Sequence, residues 1–229
     1  MSITTASLTS ELIQFDNLLF ESFKKYHFIG IDEVGRGALA GPVIACAFSF
    51  KNKETNHPLL SSVNDSKQLK KKEREKLYGL LTRIGNYGLG YASVLEIEKL
   101  NILNATFLAM KRAFDELTLK TNKKKLDPYV LIDGNKFNPY INTRQLPIVD
   151  GDCKSLLIAS ASIIAKVYRD KLMHKVSKCS KFKRFGWRTN VGYGTPFHRE
   201  AIKTRGLTPL HRKLFVRKVL KEQSGMLSR

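Results

Sequence analysis

The chain has 229 residues, 42% of them apolar and 26% charged, ordinary values for one large globular domain or a domain with an appendage. Its 40 Lys and Arg stand against 20 Asp and Glu, and the resulting +20 is the electrostatic footprint of a nucleic-acid binder, with charge-kept solubility or an anionic membrane surface as alternatives. No apolar run approaches the ~20 residues of a membrane helix, MSITTASLTSELIQFDNLLF lacks the basic start and apolar block of a secretory signal, and the three dispersed cysteines exclude a zinc knuckle or a disulfide framework.

Residues 9–26 read as an amphipathic helix, with Leu12, Phe15, Leu18, Leu19 and Phe23 at helical spacing. FIGID is a short strand ending in acids, and GRGALAGP is the turn after it. PVIACAFSF is a second strand, in which Cys46 is a small core residue. Residues 51–62 form a polar loop. NDSKQLKKKEREKLYGLL begins with capping residues and becomes a charged helix. GNYGLGYASV is a third strand weakened by its glycines. Asn104–Leu119 is a helix with Phe107, Leu108, Phe114 and Leu117 on one side, and TNKKKLDP is a basic loop.

PYVLID is a fourth strand. LPIVD is a fifth, after a linker containing Pro139 and Pro147. Ser155–Val176 is a long helix with a small-residue, apolar face. From Lys178 the composition turns basic and aromatic: a Gly-rich loop, then two short helices split near Gly206 and Pro209. This order predicts an α/β fold, a mixed sheet with helices on its faces. The first three strands form an antiparallel meander, and the later ones join in parallel through right-handed helical crossovers. Reduced thiols suit a cytoplasmic setting.

Four acids carry the chemistry: Asp32, Glu33, Asp133 and Asp152. Asp32 and Glu33 point to opposite sides of a regular strand. For both to serve one site the chain must turn there, and Gly35, Arg36 and Gly37 supply the turn. Crowded carboxylates repel one another, and divalent cations such as Mg²⁺ or Mn²⁺, which prefer oxygen ligands, relieve this. Two ions ~3.5–4 Å apart can share a scissile phosphate. Any one of these acids alone is more simply a cap or turn residue. An acidic metal pocket in a basic protein suggests an enzyme that cuts a polyanion.

GIDEVGRGALAGP, NDSK, LIDGN, GDCKS, ASASIIAKVYRD and GYGT-x-x-H, followed by TPLHRKLF, resemble the signature blocks of bacterial ribonuclease HII in the same order, over most of Phe28 to Phe215. The resemblance implies the ribonuclease H-like fold, with a five-stranded mixed sheet and a small helical C-terminal extension. It divides the chain into an N-terminal helix (1–27), a catalytic domain (28–177) and a substrate-binding extension (178–229). It implies a metal-dependent endoribonuclease using Mg²⁺ or Mn²⁺, two ions per site. This enzyme would hydrolyse the RNA strand of RNA/DNA hybrids and cut 5′ of single ribonucleotides in duplex DNA, leaving 3′-hydroxyl and 5′-phosphate ends.

Carried onto this chain, the family's metal acids match Asp32, Glu33, Asp133 and Asp152. Block order selects Asp152 over Asp150. The backbone of Gly35, Arg36 and Gly37, together with Tyr193, would sense the 2′-hydroxyl that distinguishes RNA from DNA. Lys67 would lie near the scissile region. Read without the resemblance, Tyr193 is a loop anchor, Arg36 a bridge to local acids and Lys67 a helix-start cation. Asp170 is expected to make a structural ion pair beside Arg169, and His198 and His211 to pack rather than act as acids. Phe182, Phe185 and Trp187 either stack on a duplex or anchor a junction.

Departures from the family pattern are Ala38, where Pro is common, and Cys153, where a smaller residue is usual. Arg36 and the short stretch before Asp32 favour type II over the related ribonuclease HIII. A monomer is expected, and a sliding clamp is a candidate partner, although KEQSGMLSR carries no clear clamp-binding signature. The alternatives are a junction resolvase or transposase core, which would need no 2′-hydroxyl, and a non-catalytic binder, which would show no Mg²⁺-dependent cutting.

Overall fold

The computed structural model describes residues 5–51, 60, 62–63, 69–121 and 127–224. Its elements in chain order are α1 (Thr5–Ser22), β1 (Tyr26–Val34), β2 (Val43–Phe50), α2 (Lys71–Ile84), β3 (Gly85–Ala92), α3 (Val94–Thr121), β4 (Asp127–Asp133) and β5 (Arg144–Ile148). There follow a 3₁₀ turn at Gly151–Cys153, α4 (Leu156–Ser177), α5 (Ser180–Lys183), α6 (Trp187–Asn190), α7 (Pro196–Arg205) and α8 (Lys213–Ser224). Five strands form one mixed sheet in the order β3-β2-β1-β4-β5. β1, β2 and β3 pair antiparallel, as expected, and β4 and β5 add in parallel beside β1.

Side-chain alternation along the strands builds a core on each face. From β2, Cys46, Phe48 and Phe50 enter the cluster shared with α1, α2 and α4, while Val43, Ala45 and Ala47 enter the one shared with α3. From β1, Phe28 joins the first cluster, and Ile29 and Ile31 the second. A third cluster joins Leu39 and Ala40 of the loop after β1 to Met173 and to Phe185, Trp187, Ile202 and Val216 of the C-terminal segment.

The glycines that weaken β3 as a sequence signal have a packing role. A Cβ on Gly88 would run into the Ala113 carbonyl, and one on Gly90 into the Ala109 carbonyl. α3 therefore lies directly on the strand, closer than any side chain would allow. The α3 span is itself two helices. Asn101 breaks it at φ 66°, and its Oδ1 accepts from the Leu103 and Asn104 amides at 3.0 and 3.1 Å. The second segment matches the expected helix. The first, absent from the sequence reading, starts at a capping box, with the Glu96 amide donating to Ser93 Oγ and the Ser93 amide to Glu96 Oε2.

One expectation needs correcting. Only β3 to β4 crosses over through a helix. β4 and β5 are joined by residues 134–143, which contain neither helix nor strand. The side-chain amides of Asn138 and Gln145 do the work of a helix there. Asn138 Nδ2 donates to the Phe107 carbonyl at 2.9 Å, and Gln145 Nε2 to the carbonyls of Asn138 and Ile141. The charged helix begins at Lys71, and the NDSKQ segment expected to open it lies outside the described residues. No described helix is long and apolar enough to cross a membrane.

Candidate active site

β1 and β4 run parallel with Ile31 beside Ile132, so the next residues, Asp32 and Asp133, emerge side by side at the sheet's C-terminal edge. One carboxylate oxygen from each of Asp32, Glu33 and Asp133 lies within 4.8 Å of the others. Residues about a hundred apart in sequence meet through strand pairing alone. The turn expected to unite Asp32 and Glu33 is not needed. β1 continues through both, opposite Cys46 and Ala45, and bends only at Gly35, φ 93°. The acids do leave opposite faces. Asp32 receives a hydrogen bond from Ser162 of α4, whereas Glu33 lines a cleft of about 220 Å³ with Leu103, Thr106, Phe107 and Met110 of α3. Both stand at the rim of the sheet, and one oxygen of each still falls within the 4.8 Å set.

Asp152 sits in the 3₁₀ turn after β5 and is buried, whereas Asp150 is exposed in a left-handed conformation, φ 54°. Asp152 lies outside the close trio, but its charge is felt by Asp32. Burial is the main cause holding the Asp32 carboxyl well above the usual range, followed by the charges of Glu33 and Asp133; Ser162 opposes the rise and Asp152 adds to it. The amide of Gly151 donates to Asp133 Oδ1 at 2.7 Å, so the turn carrying Asp152 also orients Asp133. Sequence reading missed Ser162 and Gly151 as partners; the small-residue face of α4 was the only trace of the former.

Arg36 pairs with Glu33 at 3.3 Å and is half exposed. Gly37 is exposed, and Gly35 packs against Arg169 of α4. The Tyr193 ring lies over the same arginine, 5.3 Å from its guanidinium carbon, and over Lys166 at 5.6 Å. Tyr193 and the Gly-Arg-Gly loop thus share one buried support. Lys67 lies outside the described residues. Asp170 pairs with Lys166 at 2.9 Å and not with Arg169, whose head is turned inward to backbone carbonyls.

The two histidines form a buried chain. Trp187 Nε1 donates to His198 Nε2 at 3.0 Å, His198 Nε2 meets His211 Nε2 at 3.1 Å, and the Thr208 amide donates to His211 Nδ1. His211 Nδ1 is therefore an acceptor, and its proton sits on Nε2, facing His198. His198 Nδ1 donates to the Tyr193 carbonyl. Burial keeps both rings neutral, lowering the His211 pKa to about 4. They pack, as expected, and hold the Tyr193 backbone. Phe185 and Trp187 are fully buried and stacked at 5.5 Å, which makes them anchors and removes them from any surface that could stack on bases.

The family model described as Ribonuclease HII matches residues 29–219. A Ribonuclease HII of Fusobacterium nucleatum is 47% identical over 211 residues, covering 91% of this chain and 94% of the relative. Ribonuclease HII of Archaeoglobus fulgidus, solved in complex with PCNA, superposes with a TM-score of 0.65 at 24% identity, covering 82% of this chain and 94% of that one. Bst-RNase HIII in complex with Mn²⁺ gives 0.69 at 18% identity, covering 86% and 70%. A strand-edge acid trio on this fold, matched over most of its length, places the chain in the ribonuclease HII family of endoribonucleases.

Proposed function

We propose that the chain hydrolyses the RNA strand of RNA/DNA hybrids and cuts 5′ of single ribonucleotides in duplex DNA, leaving 3′-hydroxyl and 5′-phosphate ends. The observation that carries this is the convergence of Asp32, Glu33 and Asp133 within 4.8 Å, with Asp152 alongside, in a chain of net charge +20. The donor set fits hard divalent ions. It is all carboxylate oxygen, and its mutual repulsion and burial favour neutralisation by Mg²⁺ or Mn²⁺. Two such ions held by the four acids would supply an activated water and charge stabilisation at the leaving oxygen. The Mn²⁺ complex of the HIII neighbour supports that choice of group.

The chain's own residues do the rest. The Gly35–Gly37 backbone and Tyr193 stand on a shared support and read the ribose 2′-hydroxyl. Lys67 contributes near the scissile phosphate in this reading. Surface cations draw in the polyanion. The protein acts as a cytoplasmic monomer, and the PCNA complex of the archaeal neighbour supports a sliding clamp as its partner. The test is a product map on a duplex with one ribonucleotide, run with Mg²⁺, with Mn²⁺ and without either. Asp32→Asn and Asp133→Asn should abolish cleavage while duplex affinity stays within about threefold. Near-normal turnover in either variant, or equal cutting of an all-DNA duplex, overturns the assignment.

A further inference from the structure

Arg169 on α4 and Arg212, immediately before α8, are each 0% exposed. Among the described residues, every hydrogen bond from their guanidinium groups goes to a backbone carbonyl. Arg169 donates to Pro42 at 3.1 Å, Val191 at 2.9 Å and Ala40 at 3.1 Å. Arg212 donates twice to Gly41, from Nε at 2.9 Å and Nη2 at 2.8 Å, and from Nη1 to Arg36 at 2.8 Å. Burying a cation with no carboxylate is costly, and an apolar side chain of similar volume would often serve a core as well. The two arginines gather four carbonyls of one loop, those of Arg36, Ala40, Gly41 and Pro42, and turn them inward.

That orientation has a geometric consequence. All peptides here are trans, and a trans peptide points its N–H opposite to its C=O. With the Arg36 carbonyl held by Arg212, the Gly37 amide must face the other way. Gly37 is exposed there, with nothing within 4 Å of the place a Cβ would occupy. Among the described residues its amide has no hydrogen-bond acceptor. An unpaired donor held outward on a rigid loop is suited to a hydroxyl oxygen, and no side chain blocks its approach.

We infer that Arg212, seconded by Arg169, is a positioning residue that fixes the direction of the Gly37 N–H and so presents this amide to the ribose 2′-oxygen. The inference rests on the 2′-hydroxyl-reading role proposed above for loop 35–37. Only a forked donor can serve. Arginine offers five N–H groups in a planar fork, enough to bridge Gly41 and Arg36 at once. Lysine keeps the charge but is a point donor, so Arg212→Lys leaves the Arg36 peptide free to rotate.

The experiment compares wild type, R212K and Val219→Ala on a duplex with one ribonucleotide. Val219 lies in the same buried cluster. Among the described residues it is not hydrogen-bonded to the loop carbonyls, so V219A controls for general loosening. R212K should lose about 10- to 100-fold in single-turnover rate, while its duplex affinity stays within about threefold. V219A, compared at matched loss of thermal stability, should keep the wild-type rate. An unchanged R212K rate, or an equal loss in V219A, overturns the inference. A variant-free arm uses ¹⁵N-glycine-labelled wild type in EDTA. The Gly37 amide should shift with the ribonucleotide duplex and not with the all-DNA duplex of the same sequence. An indifferent Gly37 overturns the inference even if R212K does not fold. If wild type itself fails to cut at the ribonucleotide, the functional reading falls instead.

Discussion

Replacing Asp16 with asparagine should remove a large part of this protein's stability loss on going from acid to neutral pH. Asp16 lies on α1, is 0% exposed, and caps the start of α4 by accepting the Leu157 amide at 2.9 Å. Its other oxygen is buried without a partner. Burial raises its pKa from 3.8 to about 7, against the opposing pull of Ser155 and the Leu157 and Leu156 amides. The unfolded chain ionises this group from about pH 4, while the folded chain resists until about 7. Stability is therefore lost as pH rises through that window and levels off above it. A rise from 3.8 to about 7, at about 1.4 kcal/mol per unit, makes the total about 4 kcal/mol. About 3 kcal/mol of that falls between pH 5 and pH 8. Asparagine keeps the acceptor and cannot ionise. Denaturant unfolding of wild type and D16N at pH 5 and pH 8 isolates this group, because all other titrations cancel in the difference. The gap between the two proteins should widen by about 3 kcal/mol in favour of D16N, with cleavage at pH 7 retained. Parallel pH profiles would refute the reasoning.

Gly90→Ala should cost about 2 kcal/mol or more in chemical denaturation, because its Cβ meets the backbone of α3 and not a movable side-chain end. His211→Gln should flatten the acid limb of the stability curve. The wild-type ring resists protonation down to about pH 4, whereas the unfolded chain takes up a proton near 6.5, so wild-type stability falls as pH drops through that interval. An unchanged acid limb would show that the ring is protonated in the fold. Tyr193→Ala should slow cleavage at single ribonucleotides by about tenfold or more in single-turnover assays; an unchanged rate would reassign the ring to packing.

Local signals revealed the acids, since an apolar run ending in Asp is visible within a few residues. Their convergence was not local. Nothing in FIGID or PYVLID states that Ile31 lies beside Ile132, and that register creates the trio. No turn at Gly35 is needed to bring Asp32 and Glu33 together, since the strand continues through both. Other misses share a cause. Arg169 and Arg212 look like any of the chain's 40 cations until tertiary packing buries them. Asp16 stands four residues after Leu12 and three before Leu19, on the apolar stripe of its helix, but nothing local says that it caps a helix that begins 140 positions later. The linker at 134–143 is visible in the sequence, but the general rule that parallel strands join through helical crossovers does not hold for it, because Asn138 and Gln145 satisfy the backbone without a helix.

The choice of carbonyl partners for the buried arginines follows from what stands nearby. Gly35, packed on Arg169, is three residues from Asp32, where burial and neighbouring charge already disfavour ionisation. A carboxylate added to neutralise Arg169 or Arg212 would lower their desolvation cost. It would also add negative charge beside a cluster that already carries an excess, and offer divalent ions a rival ligand. Peptide carbonyls satisfy the guanidinium N–H groups without either penalty. The arrangement separates two tasks within a few residues of β1. Strand register assembles the carboxylates, and buried cations set the backbone that follows them. A substitution that disturbs one should leave the other measurable, so metal affinity and ribose discrimination are expected to fail independently.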